Sequence, residues 1–239
     1  MRRSTDDVAW FTEALLGYLD IRFYEPYSQV VDLSRGIAWP EWCVDGKMNI
    51  VHNCLDKYMG TEVEDRLALI SEAEDGSVCK HTYRDLWRQV NQAANALRSL
   101  GIKKGDAVGI YMPMTCEISA AMLAIAKIGG IILPLFSGYG PGAIASRLAD
   151  LRAKALFTAD GFVRRGQVVN MKEVVDEAAE ILPELEHIII LRQTDLSINR
   201  IPGRDHWWHE IVSTQADIAE TEVTAAEDVL MVIYTSGTS

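Results

Sequence analysis

From about residue 66 onward, short apolar runs alternate with amphipathic stretches, and this alternation constrains the fold more than any other feature of the chain. Ala107–Met112, Ile131–Phe136, Ala155–Ala159, His187–Leu191 and Val229–Tyr234 read as strands. Between them, Thr115–Ile128 (ended by Gly129-Gly130), Gly142–Leu151 and Lys172–Leu182 (ended by Pro183) read as helices. A further short helix is expected over Asp205–Thr214, after a polar stretch that carries Pro202-Gly203. Strands separated by helices imply right-handed crossovers, hence an α/β fold with a mostly parallel sheet and flanking helices. Ligands of such sheets bind beyond the carboxyl ends of the strands. The loops that matter are therefore Tyr111–Thr115, Ser137–Pro141, Asp160–Gln167 and Thr235–Ser239.

Just before this region, Leu67–Ser71 and Val78–Lys80 flank Glu74-Asp75-Gly76, the pattern of a β-hairpin. Thr82 then opens a helix with Asp85 as its capping partner. Leu86, Val90, Ala94 and Leu97 share one face, and Gly101 closes it. Residues 1–65 differ: they are irregular, rich in aromatics and acids, and look helical only over Val8–Leu19 and Asn49–Tyr58. They are expected to drape over the larger unit, 66–239, and to anchor through their aromatic side chains.

A net charge of −11 argues against a nucleic-acid partner, which needs a basic face. Cys43, Cys54, Cys79 and Cys116 are scattered without C-x-x-C spacing, so neither a disulfide framework nor a zinc site is expected. His206 and His209 have i, i+3 spacing but stand beside Trp207 and Trp208, which reads better as a partly exposed helix; no metal site is assigned. The first residues lack the apolar run of a secretory signal. Ile118–Phe136 carries a single charge, Lys127, and is long enough to span a bilayer. Gly129-Gly130 and Pro134 divide it, however, into a helix and a short buried strand. No membrane partner is expected, and the expected location is cytoplasmic.

The tail runs from the apolar Leu230–Ile233 into Thr235-Ser236-Gly237-Thr238-Ser239. A strand followed by a loop of glycine and small hydroxyls can present backbone N–H groups to phosphate oxygens. On its own the pattern also describes an ordinary turn. The helix and lysine that usually follow a phosphate loop are not within the chain.

Several stretches, in one order, resemble the AMP-forming acyl-CoA synthetases, closest to acetyl-CoA synthetase and its short-chain relatives. Tyr234–Ser239 is similar to the first half of that family's phosphate loop. Trp42–Asn49 resembles its amino-terminal signature, a Trp-Phe stretch followed by Gly-Gly and Leu-Asn; here Cys43 replaces the phenylalanine, Asp45 the first glycine and Met48 the leucine. Asn53-Cys54-Leu55-Asp56 continues that signature, and Phe136–Pro141 and Thr158–Gly161 look like two further family loops.

The resemblance implies the partial N-terminal domain of an adenylate-forming enzyme, with an acetyl-CoA synthetase-like extension over 1–65 and a ligase domain over 66–239. It implies a carboxylic acid, ATP and CoA as small-molecule partners, Mg²⁺ as cofactor, and the remainder of the synthetase chain as protein partner. It assigns Thr235, Ser236, Gly237, Thr238 and Ser239 to the ATP phosphates. Arg164 matches the first of two arginines that meet the 3′-phosphate of CoA; Gln167 stands at the second, with Arg165 adjacent as a substitute. Gly138 is implied beside the pantetheine arm of CoA. The family's catalytic groups follow the phosphate loop, so no residue of this chain is assigned as catalytic, and the chain is expected to be inactive alone. The alternative is a non-catalytic binding or assembly module that keeps the synthetase fold. A peptide-synthetase adenylation domain or a luciferase agrees less well with the Trp42–Asn49 stretch and Arg164.

Overall fold

In the computed structural model, which describes residues 2–235, the chain opens with α1 (Arg2–Asp6) and α2 (Val8–Tyr18). The Asp7 carboxylate caps α2 by accepting the Trp10 N–H at 3.0 Å. β1 (Gln29–Asp32) and β2 (Glu41–Val44) pair antiparallel, followed by β3 (Lys47–Met48), α3 (Ile50–Cys54) and a 3₁₀ turn over Asp56–Tyr58. The aromatic anchoring expected of this segment is only partial: Phe23 and Tyr27 are half-buried and pack edge to face, and Tyr58 meets the Tyr83 ring. Trp10, Phe11, Tyr18, Tyr24, Trp39 and Trp42 are all exposed. The segment is held also by Val51 and Leu55 in the core and by buried polar atoms. Asn49 Nδ2 donates to the carbonyls of Ala126 and Glu222, both at 2.9 Å, while its Oδ1 caps α3 at Val51.

The amino-terminal signature has a local physical reading. Asp45 stands where the related pattern has glycine, and its φ of +63° is the left-handed conformation that glycine adopts freely. Aspartate is one of the few residues that tolerate it, and its Oδ2 accepts the Ser28 hydroxyl at 2.7 Å. Gly46 must stay small, because a Cβ there would lie 2.8 Å from the Cys43 carbonyl oxygen.

The hairpin and helix expected next are present as β4 (Leu67–Glu72), β5 (Val78–Thr82) and α4 (Tyr83–Ser99). Thr82 and Asp85 form a reciprocal capping box, and Leu86, Val90, Ala94 and Leu97 are buried. Then follow β6 (Ala107–Ile110), α5 (Cys116–Lys127), β7 (Ile131–Pro134), α6 (Pro141–Asp150) and β8 (Ala155–Ala159). The chain continues through β9 (Gly161–Arg164), β10 (Gln167–Asn170), α7 (Met171–Ala179), β11 (His187–Leu191), β12 (Asp205–Trp207), α8 (Trp208–Ile211) and β13 (Thr224–Ala225). β13 returns to pair antiparallel with β3, tying the far end of the chain to its first segment.

The central sheet runs β12-β11-β8-β6-β7 with every pairing parallel. From β6 the chain steps one way to β7, then back across β6 to β8. With right-handed crossovers, α5 therefore covers one face while α6 and α7 cover the other. The packing agrees: α5 lies against α4, and α6 against α7. β6 sits where the direction of winding reverses, the place at which open α/β sheets open a crevice. No described helix is long and apolar enough to cross a membrane.

Three elements differ from the expectation. The first is Asp205–Thr214, read as one helix. Asp205–Trp207 is instead a strand paired with β11, and only Trp208–Ile211 is helical. Asp205 is buried and fastened by Lys172, Arg204 and the Ile201 N–H, which holds this stretch against the open edge of β11. His206 and His209 thus fall on different elements, and both indoles are buried.

The second is Val229–Tyr234, read as a strand, which makes only one parallel bridge, Met231 to Ile132. Ile132 donates to the Leu230 carbonyl at 2.9 Å and accepts the Val232 N–H at 3.0 Å. The next donor on that edge of β7 would be residue 134, a proline with no N–H, so the ladder stops. The third is Asp160–Gln167, read as a loop. Most of it is the β9–β10 hairpin, whose two turn residues Arg165 and Gly166 have φ of +53° and +71°, as a two-residue turn of primed type requires.

Candidate functional site

A cleft of about 750 Å³ opens at the carboxyl end of the sheet, within the range of small-molecule sites. Its floor is apolar, with Ile110, Leu135 and Phe162 among the residues that line it. Its walls are the tip of the β4–β5 hairpin, the loops after β6 and β7, and the Ile233-Tyr234 stretch.

The loop after β7 is positioned from below. Tyr111, directly after β6 and 1% exposed, aims its hydroxyl at the carbonyls of Ser137 (3.1 Å) and Tyr139 (3.3 Å). Burial pushes this phenol above its ordinary value, so it stays a donor. Gly138 lies under the Phe136 ring; a Cβ there would meet Cε1 at 2.6 Å, so a larger residue would displace the ring from the cleft mouth.

The arginine turn is positioned from the side. The Glu74 carboxylate, at the tip of the β4–β5 hairpin, accepts the backbone N–H of Arg165 at 2.8 Å and of Gly166 at 3.2 Å. These two bonds hold Glu74 below the usual carboxylate range, with the charges of Arg164 and Arg165 acting in the same direction. Arg164, Arg165 and Gln167 are exposed, and Gln167 stands directly across the hairpin from Arg164.

The next strand end is locked by Asp160, fully buried after β8. Its carboxylate accepts the N–H groups of Gly161, Gln193, Thr194 and Leu196 at 2.8–3.2 Å, clasping the loop after β11 to the end of β8. At the mouth, the Arg147 guanidinium lies between the rings of Tyr139 (4.5 Å) and Tyr234 (5.0 Å), while the Tyr234 hydroxyl donates to Asp150. The chain is thereby gripped immediately before Thr235, which makes further contacts of its own. Ser236, Gly237, Thr238 and Ser239 lie outside the described residues.

The structure thus brings the neighbours of the expected site residues to one cleft: Ser137 beside Gly138, Val163 beside Arg164, and Tyr234 beside Thr235 all line it. Tyr111, Glu74, Arg147 and Asp160 escaped the sequence reading as positioning groups. Only Asp160 carried a signal, standing at a strand end inside a family-like stretch. The charged groups lining the described cleft are the carboxylates of Glu72, Glu74 and Asp75, with no lysine, arginine or histidine among them. Among the described residues, the cluster with metal-ligand proximity is Cys79, His81 and Cys116. Cysteine sulfur and imidazole suit soft or borderline ions, whereas Mg²⁺ needs hard oxygen donors, so these residues do not fit that ion.

A parallel sheet with a cleft at its switch point, reached by the Ile233-Tyr234 stretch along the edge strand, is the doubly wound α/β arrangement whose ligands sit beyond the strand ends. The family model for AMP-binding enzymes matches residues 58–239, and the model for the acetyl-coenzyme A synthetase N-terminus matches residues 1–54. The chain belongs to the AMP-binding enzyme family. It is 40% identical over 220 residues to the acetyl-coenzyme A synthetase of Escherichia coli K12, covering 90% of this chain and 34% of that protein. The acetyl-coenzyme A synthetase of Methanothrix thermoacetophila is 38% identical over 218 residues, covering 91% and 33%. Among solved structures, acetoacetyl-CoA synthetase from Streptomyces lividans superposes with a TM-score of 0.88 at 27% identity, covering 99% of this chain and 35% of that one. The chain spans about a third of the length of the curated relatives it matches.

Proposed function

We propose that this chain is the amino-terminal part of a cytoplasmic acid–thiol ligase that activates a short-chain carboxylic acid with ATP and passes the acyl group to CoA. In that reaction the substrate carboxylate attacks the α-phosphate of ATP, giving an acyl adenylate and pyrophosphate. The CoA thiolate then displaces AMP to form the thioester. Residues 1–65 are the acetyl-CoA synthetase-like extension and 66–239 the beginning of the ligase domain.

The observation that carries this reading is the convergence of three loops on one cleft, each bearing a residue suited to one part of the substrates. Thr235, with Ser236, Gly237, Thr238 and Ser239, supplies hydroxyls and backbone N–H groups for the ATP phosphates, where charge builds on the departing pyrophosphate. Arg164 meets the 3′-phosphate of CoA; Gln167, its partner in register, offers an amide where a second charge would stand, and Arg165 provides the nearby cation. Gly138 leaves room for the pantetheine arm. Tyr111, Glu74 and Arg147 hold these loops without touching the reacting atoms.

The same geometry argues that the chain binds without catalysing. The carboxylates of Glu72, Glu74 and Asp75 line the cleft with no lining cation to offset them, so a triphosphate is poorly neutralised there. No described residue is assigned as acid or base, and no step is assigned to Mg²⁺. Calorimetric titration with CoA and with dephospho-CoA tests the proposal. CoA is expected to bind about tenfold more tightly, and Arg164→Ala to erase that difference. Equal binding of both ligands by the parent chain would refute the arginine assignment. Pyrophosphate exchange with acetate or butyrate is expected at background; a rate above it would refute the inactivity.

A further inference from the structure

Cys79, on β5, and Cys116, the first residue of α5, are joined sulfur to sulfur across 37 positions of sequence, with Cα atoms 6.6 Å apart. No disulfide framework was expected from the scattered cysteines; this one bond is present, while Cys43 and Cys54 are free. The surroundings are those of a reactive pair. His81 Nε2 lies 3.5 Å from Cys79 Sγ, and its Nδ1 is buried with no partner. Cys116 is 1% exposed at the amino end of a 12-residue helix whose capping residue, Thr115, makes no side-chain capping bond. That end of a helix stabilises a thiolate. Cys79, in contrast, is only half-buried and can be reached from solvent.

We infer that Cys79, His81 and Cys116 form a thiol–disulfide exchange site whose substrate is a low-molecular-weight disulfide. His81 takes the proton of the Cys79 thiol. The Cys79 thiolate attacks one sulfur of the small disulfide, its S–S bond breaks, and the first small thiolate leaves and is protonated. Cys116 then loses its proton, and its thiolate attacks the Cys79 sulfur, forming the Cys79–Cys116 bond and expelling the second small thiolate, which takes up that proton. Two protein thiols are oxidised and one disulfide is reduced to two thiols; excess small thiol reverses the sequence.

The bond fastens two walls of the cleft. The β4–β5 hairpin carries the lining residues Glu72–Ser77, and the loop before α5 carries Met112–Thr115. Ser71 already donates its hydroxyl to the Met114 carbonyl at 2.9 Å, and Glu74 grips the arginine turn. Opening the bond frees the hairpin from α5 and loosens both. This consequence does not depend on what the cleft binds.

The test uses the 239-residue chain carrying Cys43→Ser and Cys54→Ser, so that the pair supplies the only thiols. In reduced glutathione, alkylation followed by mass spectrometry is expected to find two reactive thiols; in glutathione disulfide, none, with full reversal. Cys116→Ser is expected to trap a glutathione adduct on Cys79. His81→Gln is expected to slow pairing about tenfold near pH 7 and little near pH 9, where thiolate is already plentiful. On reduction, amides of 72–77 and 112–116 are expected to exchange at least about tenfold faster while 188–191 stay unchanged. Two alkylatable thiols in the oxidising buffer would overturn the inference. So would separate glutathione adducts on both cysteines, or a reduced pair that holds an equivalent of zinc and resists oxidation. Unchanged exchange at the hairpin would overturn the link to the cleft.

Discussion

Two buried lysines, one at the attachment of the amino-terminal segment and one at the far edge of the sheet, meet the same physical problem differently. Lys127, at the end of α5, is 1% exposed in its side chain and faces one carboxylate, Asp56, at 2.9 Å, plus the Thr221 hydroxyl at 2.6 Å. Lys172, in α7, is equally buried but has two carboxylates, Asp176 at 2.6 Å and Asp205 at 2.9 Å, and the Asn199 carbonyl. Arg204 binds both of those carboxylates as well. The first site is a single post on which three segments hang, since Asp56 also accepts the Trp87 indole N–H and the Thr221 hydroxyl. The second is a mesh in which each member has a substitute. Removing one partner from a buried pair leaves an uncompensated charge, so the post is expected to be far more fragile.

Asp56→Ala should therefore have the largest effect, lowering stability in urea unfolding by about 3 kcal/mol, because Lys127 is left buried without a counter-charge. A loss within about 0.5 kcal/mol would remove the contrast between the sites. Replacing both members, Asp56→Leu with Lys127→Met, should recover the part due to the stranded ammonium but not the part due to the Trp87 and Thr221 donors left without Asp56. Asn49→Ala comes next: it deletes the α3 cap and two buried donations to Ala126 and Glu222, for about 2 kcal/mol by the same measurement. Asp176→Asn should cost only about 1 kcal/mol, since Asp205 still answers Lys172. A cost equal to that of Asp56→Ala would mean that the mesh is no mesh.

The same contrast shows what could be read ahead of the structure. The β4–β5–α4 unit and the helices of the parallel sheet were legible because their signals are local: a Gly turn, a capping pair, a 3.6-residue stripe. Val229–Tyr234 was not, since what ends its pairing is Pro134, nearly a hundred positions earlier. Asn53-Cys54-Leu55-Asp56 was legible as a family-like stretch, but its role was hidden. Asp56 meets Lys127 and Thr221 across 71 and 165 positions. The proposed site follows the same rule: Arg164 and Gly138 were expected from local stretches, whereas Tyr111, Glu74 and Arg147 act on loops that only the sheet brings near. The aromatic segment misled because most of its rings lie on the surface while its buried polar groups bear much of the attachment.

The smallest predicted effect is also the most discriminating, because it depends on charge rather than on packing. Burial lowers the Lys127 ammonium below its ordinary value of 10.5, against the opposing pull of Asp56. A lysine whose value is depressed in the folded state sheds its proton there before it does so in the unfolded chain. Its contribution to stability is fully present above 10.5 and is lost as pH falls through the folded value. The difference in urea midpoint between the parent and Lys127→Met should thus move in the parent's favour as pH rises from about 8 to about 10. The buried Tyr111 phenol acts in the opposite direction at higher pH, since its value is raised on folding, but it is common to both proteins and cancels in the difference. A difference that stays flat across that range would show that Asp56 fully compensates the burial of Lys127. The single post would then be as well balanced electrostatically as the mesh at the opposite edge.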